Sequence, residues 1–119
     1  MKDFRDLKIW GRSHQLTLQV YKLTRSFPKE EMYGLVSQMR RSASSVPTNI
    51  AEGCGRNTDA DFARFLDASM GSASELEYQL ILSRVLAYLS LDAYETINTE
   101  LVEIKKMLNA FIQKLRASR

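Results

Sequence analysis

The chain has 119 residues, 45% of them hydrophobic and 26% charged, with a formal net charge of +3. Five glycines and two prolines exclude collagen-like, low-complexity and disordered chains, and the length fits one domain over residues 1–119. A single cysteine, Cys54, and a single histidine, His14, exclude an internal disulfide and, unless carboxylates or a second chain contribute, a structural zinc site.

Four segments carry helical periodicity and none carries sustained strand alternation, so the sequence reads as all-α. The first helix is expected over 6–26. On a wheel of about 100° per residue, Leu7, Trp10, His14, Leu18 and Tyr21 share one face, and Ile9, Leu16, Val20, Leu23 and Phe27 share another. Ser13, Thr17 and Thr24 lie between them, while Lys8, Arg12, Gln15, Gln19 and Lys22 form a polar stripe. That apolar arc exceeds one bundle seam, which points to contact with another subunit.

The second helix is expected over 28–53, opening at Pro28 with Glu30 and Glu31 at the positive end of its dipole. Met32, Leu35, Val36, Met39, Ala43, Val46 and Ile50 make its core face, and Gly53-Cys54-Gly55 ends it. Pro47 interrupts it by removing the bond to the Ala43 carbonyl, which leaves Ser44, Ser45 or water to satisfy that group. The third helix, over 58–89, starts at Thr58-Asp59-Ala60-Asp61 with capping-box spacing. Phe62, Phe65, Leu66, Leu76, Leu80 and Val85 form its apolar face. Its middle, Ala68 to Ser74, is nearly all small and admits a close neighbour. The stretch Leu80 to Leu89 is apolar almost all round, again implying burial on more than one side.

The fourth helix, over 92–117, places Tyr94, Ile97, Leu101, Ile104, Leu108, Phe111 and Leu115 at steps of 3, 4, 3, 4, 3 and 4, a coiled-coil-like seam. With short connections, four such helices pack most simply as an antiparallel up-down-up-down bundle. No apolar run approaches the roughly 20 residues that span a bilayer, and the N-terminus lacks a signal-peptide stretch, so no membrane partner and a cytoplasmic location are expected.

Charge is segregated. Residues 1–58 hold 10 basic and 5 acidic side chains (+5), residues 59–95 hold 2 and 7 (−5), and residues 96–119 hold 5 and 2 (+3). Such segregation suits either a polyanion or complementary packing between helices or subunits. Lys8, Arg12 and Lys22 of the first helix, with Lys105, Lys106, Lys114 and Arg116 of the fourth, are the candidate nucleic-acid contacts, which a homo-oligomer would repeat to raise avidity. The acidic third helix of one subunit would then meet basic residues of the next.

Catalytic chemistry finds little support. His14 falls within an apolar face, Cys54 sits between glycines, and Glu100 with Glu103 reads as a solvated face. The Gly53-Cys54-Gly55-Arg56 run lacks the ending of a phosphate-binding loop, and Glu-x-x-His pairs are absent. A non-enzyme without cofactor or metal is expected. What remains is a polar constellation of Arg40, Arg41, Asn49, Glu52, Arg56, Glu75 and Glu77. Arg40 or Arg41 is expected to pair with Glu75, and Asn49 and Glu52 to bond backbone near the kink or the turn; phosphate binding by Arg40, Arg41 and Arg56 is the alternative.

Several runs together carry a family resemblance: Leu7 and Trp10, Tyr33-Gly34-Leu35, Gln38-Met39-Arg40-Arg41, Asn49-Ile50-Ala51-Glu52-Gly53, Gly55-Arg56, Gly71-Ser72 and Glu75-Leu76-Glu77. Over almost the whole chain the sequence resembles the four-helix-bundle proteins encoded within 23S rRNA intervening sequences. The resemblance implies a simple bundle assembled as a barrel-like homopentamer, with no catalytic residues to carry over. A relative, the accessory protein of diversity-generating retroelements, binds nucleic acid and a reverse transcriptase. Two roles are therefore expected as alternatives: an oligomer binding RNA or other nucleic acid electrostatically without base specificity, and a scaffold for a protein partner such as a reverse transcriptase or a ribosome-associated factor.

Overall fold

The computed structural model describes residues 3–117; Met1, Lys2, Ser118 and Arg119, and with them the two ends of the expected 1–119 domain, lie outside the described residues. Four α-helices are present: α1 Lys8–Thr24, α2 Leu35–Cys54, α3 Asp59–Val85 and α4 Leu91–Ala117. Single 3-10 turns occur at Phe4–Asp6 and Lys29–Glu31, and no strand occurs among the described residues. α1 and α3 each pack on α2 and α4, whereas the diagonal pairs have no close backbone approach, which is bundle packing. The body measures 47 × 23 × 20 Å.

α4 follows its sequence spacing closely. Ile97, Leu101, Ile104 and Leu108 are buried on its inner face, and Ile112 continues the row. Phe111, expected in that row, sits beside it and meets Phe62 edge-on at 5.2 Å between ring centroids.

α1 turns its Ile9, Leu16, Val20 face inward, together with Ser13, Thr17 and Thr24. Burial of these hydroxyls is tolerated because each donates to a carbonyl one turn back: Ser13 to Ile9 at 2.8 Å, Thr17 to Ser13 at 2.9 Å and Thr24 to Val20 at 2.7 Å. The other apolar face is left largely outside, with Leu18 49% and Tyr21 40% exposed. On it, Trp10 stacks on His14 with centroids 5.0 Å apart.

α2 starts later than its sequence suggests. Pro28 opens only the Lys29–Glu31 turn, and the chain leaves helical geometry at Gly34 (φ −114°, ψ −107°) before α2 begins at Leu35. Met32, expected in the core, is consequently 53% exposed. Glu31 has left the helix dipole and instead accepts a hydrogen bond from the Tyr88 hydroxyl at 2.9 Å. Leu35, Val36, Met39, Ala43, Val46 and Ile50 are all buried.

The helix passes through Pro47 without ending. The carbonyl that Pro47 frees, that of Ala43, lies 3.1 Å from the Thr17 hydroxyl of α1, whose single proton it shares with the Ser13 carbonyl, so its donor comes from a neighbouring helix and neither Ser44 nor Ser45. Ser44 bonds the Arg41 carbonyl instead.

α2 and α3 approach closely through small residues. Ser69 donates to the Val46 carbonyl at 2.8 Å, Ala73 is fully buried, and Gly53 lies flat against Phe62 and Phe65. Thr58 caps α3 by accepting from the Asp61 amide at 3.1 Å, as the capping-box spacing predicts. The helix stops at Val85, four residues short of expectation, because Ala87 turns left-handed (φ 64°). The Tyr88 amide then reaches the Ser83 carbonyl and the Ala87 amide reaches Arg84, a Schellman arrangement. Val85, expected on the core face, is 71% exposed. The inner row runs Leu76, Leu80, Ser83, and a residue two positions beyond Ser83 points to the opposite side.

Candidate functional site

The structure divides the basic residues into two groups. Along α4, charge is met from within the same chain: Lys105 donates to Glu77 of α3 at 2.7 Å, and Arg116 forks onto Asp67 of α3. Arg12 of α1 makes a bidentate pair with Glu100 at 2.9 and 2.8 Å and reaches Met107 Sδ. Those bonds to Glu100 hold its guanidinium above the usual arginine range. Lys106 lies 3.5 Å from Glu103 one turn away. Of the acids on α3, Glu77 and Asp67 are thus engaged by α4 of their own chain.

Four of the seven candidate nucleic-acid contacts, Arg12, Lys105, Lys106 and Arg116, thus have acidic partners, whereas Lys8 and Lys22 have none within 4.0 Å among the described residues. A paired cation must release its carboxylate before it can hold a phosphate, so it is the poorer ligand. Lys114 also lacks an acidic partner among the described residues.

The second group gathers at the end of the bundle where α1 finishes and α2 starts. Phe27 packs on Tyr88 at 5.3 Å, which brings the end of α3 to the same place. Lys22, Arg25, Lys29, Arg40, Arg41 and Arg84 belong to these segments. None of them enters an ion pair among the described residues, every one of which uses other cations. Glu30 and Glu31 directly follow Lys29 in sequence, Asp92 lines a cleft with Lys22, and Glu75 lines one with Arg41. Lys22 and the arginine doublet of this group are legible in the sequence; Arg25, Lys29 and Arg84 are not, because they are scattered along the chain and only packing assembles them.

The polar constellation is partly dispersed. Arg40 does not pair with Glu75; it donates to the Thr24 hydroxyl at 3.0 Å and the Tyr21 carbonyl at 3.3 Å, its guanidinium 4.6 Å from the Tyr21 ring centroid. It ties α2 to the end of α1. Asn49 donates to the Ser45 carbonyl at 2.9 Å, beside Pro47. Glu52 accepts from Arg56 at 3.2 Å, and Arg56 covers the Phe65 ring at 4.6 Å. Arg41 and Glu75 do come together, lining a polar cleft of about 290 Å³ between α2 and α3 with Gln38, Ser42, Ser45 and Gln79, but they form no ion pair.

Among the described residues no group of three or more His, Cys, Asp or Glu is placed to hold a metal ion, and no helix is long and apolar enough to cross a membrane. Apolar side chains remain outside mainly on two helices, Leu18 and Tyr21 of α1 and Tyr78, Ile81 and Val85 of α3, with Leu86 just beyond it; Met32 and Tyr33 before α2 and Leu91 at the start of α4 are also exposed. Gly71, at the same heptad spacing before Tyr78, has open space where a Cβ would stand.

Residues 5–110 match the family described as 23S rRNA-intervening sequence protein. The chain is also similar to a solved structure from Bacteroides thetaiotaomicron, described as a protein of unknown function from the S23 ribosomal protein family. The two are 28% identical, with a TM-score of 0.82, over 88% of this chain and 95% of that one. No curated protein matches the chain significantly.

Proposed function

Because the chain belongs to the family of 23S rRNA-intervening sequence proteins, we propose that it is a non-enzymatic, homo-oligomeric bundle of antiparallel up-down-up-down helices that holds RNA by its phosphates in the cytoplasm. The observation that carries this reading is the group of six cations at one end of the bundle, left without acidic partners while other basic residues are neutralised within the chain. Unpaired arginines and lysines gathered on one end release counterions when a phosphate backbone docks, and that contact gives affinity without reading bases. Lys22 belongs to this group; Lys8 and Lys114 lie at the opposite end.

Charge reversal separates the two ends. Lys22→Glu with Arg25→Glu and Arg84→Glu is expected to weaken binding of a single-stranded RNA at low salt by roughly tenfold or more, whereas Lys8→Glu with Lys114→Glu should alter it less than ~3-fold. Fluorescence anisotropy with labelled RNA measures both. All five side chains are exposed, so neither variant disturbs the core.

Self-assembly is supported by the apolar residues left outside on α1 and α3, which sit at diagonal corners of the bundle. Faces so placed suit a head-to-tail ring, in which one face of each copy meets a different face of the next. The number five comes from the family resemblance. Light scattering is expected to report five times the 13.6 kDa chain mass; a 13.6 kDa particle at micromolar concentration would contradict assembly. The same apolar residues favour the second reading, a scaffold for a protein partner, whose binding would persist at high salt.

A further inference from the structure

The cleft between α2 and α3 holds a cation and a carboxylate apart. Glu77 closes onto Lys105 and Glu52 onto Arg56, but the pair in this cleft stays open. Arg41 and Glu75 line one cleft from opposite helices, yet no ion pair joins them among the described residues. Between and beside them stand two amides, Gln38 and Gln79, and two hydroxyls, Ser42 and Ser45. Gln79 Oε1 is sequestered from solvent without a hydrogen-bond partner, an acceptor still unused.

A cation and a carboxylate held apart select what comes between them. A phosphate is drawn to Arg41 but repelled by Glu75, and an ammonium group meets the reverse. A neutral planar group that accepts hydrogen bonds at one edge and donates at another satisfies both residues at once. We propose that this cleft is a guanine-binding site. Guanine presents adjacent N–H donors at N1 and N2, which a carboxylate accepts as a pair, and acceptors at O6 and N7, which suit a guanidinium. Adenine carries an acceptor at N1 and would face Glu75 with a repelling lone pair.

The base could arrive as a free guanine nucleotide or as an unpaired guanosine in an RNA strand, and the shared chemistry is the guanine edge. The site goes beyond the phosphate contacts proposed above and shares only Arg41 with them: the Lys22→Glu, Arg25→Glu, Arg84→Glu variant would lose salt-sensitive RNA binding and keep guanine discrimination, and Glu75→Gln would do the reverse.

The test titrates the full chain with guanosine and adenosine monophosphates, followed by calorimetry, and with two five-nucleotide RNAs of uridines carrying one central guanosine or adenosine. Guanine is expected to be favoured about tenfold, the size of one well-made paired contact. A preference in the mononucleotides identifies the free nucleotide as sufficient; a preference confined to the strands identifies RNA as the source. Glu75→Gln should bring guanine and adenine to equal affinity. Glu75 is exposed, so the circular dichroism spectrum and melting temperature of the variant should match the parent. Equal binding of the two bases in both formats, no binding in either, or a guanine preference that survives Glu75→Gln would overturn the proposal.

Discussion

Replacing Leu101 by aspartate is expected to remove most of the folded population, with a loss of about 4–5 kcal/mol or more. Leu101 is fully buried in the middle of the α4 row, between Ile97 and Ile104. The substitution both deletes a large apolar side chain and places a carboxylate where no cation is available. Against a total stability of about 5–15 kcal/mol for a domain of this size, such a loss approaches the whole. Thermal melting followed by circular dichroism should show either no cooperative transition or one lowered by roughly 15 °C or more. Glu103→Ala, two residues away on the exposed side of α4, serves as the control and should stay within about 0.5 kcal/mol of the parent.

The second large effect concerns a glycine. A Cβ at Gly53 would stand 2.8 Å from Phe65 Cβ and 2.8 Å from Phe62 Cδ1, and Phe65 Cβ cannot move without moving α3. Gly53→Ala is therefore expected to destabilise the bundle by about 1–3 kcal/mol, although alanine is the better helix former by about 1 kcal/mol. Gly71, also inside a helix, has nothing within 4 Å of an added Cβ. There the helix propensity acts alone, and Gly71→Ala should leave the chain unchanged or stabilise it by up to ~1 kcal/mol. Chemical denaturation of the two variants side by side gives opposite signs if the close approach of α2 to α3 is as described.

How much of this was legible in the sequence depended on the range of the interaction. The α4 row is visible because its cause is local: residues three and four apart share a face, and the face must be buried somewhere. The Thr58 cap is local in the same sense. The start of α2 misled because proline followed by two glutamates is a sound helix opening, and the departure from helical geometry at Gly34 leaves no comparable mark. Ser13, Thr17 and Thr24 were assigned to a neutral strip, since a hydroxyl counts as polar until its bond to the preceding turn is seen.

Long-range partners were beyond reach. The donor for the Ala43 carbonyl is Thr17, 26 residues away, and Arg12 meets Glu100 across 88 residues. Composition can state that a basic segment and an acidic one exist, but only packing decides whether they meet within one chain or between two. For the site, the consequence is a change of address. The cations that looked like a stripe along α1 and α4 are partly consumed by acids of the same chain, and of those left over only Lys22 joins the cations gathered where α1, α2 and α3 come together.

The measurement that bears most directly on RNA binding by that end of the bundle is affinity for one single-stranded RNA across a salt series. Phosphate contacts made by about four of the six unpaired cations predict a loss of roughly 10- to 100-fold between 50 and 200 mM salt, and a shallower dependence in the Lys22→Glu, Arg25→Glu, Arg84→Glu variant. Affinity that holds constant across the series, or no binding even at 50 mM, would contradict the account.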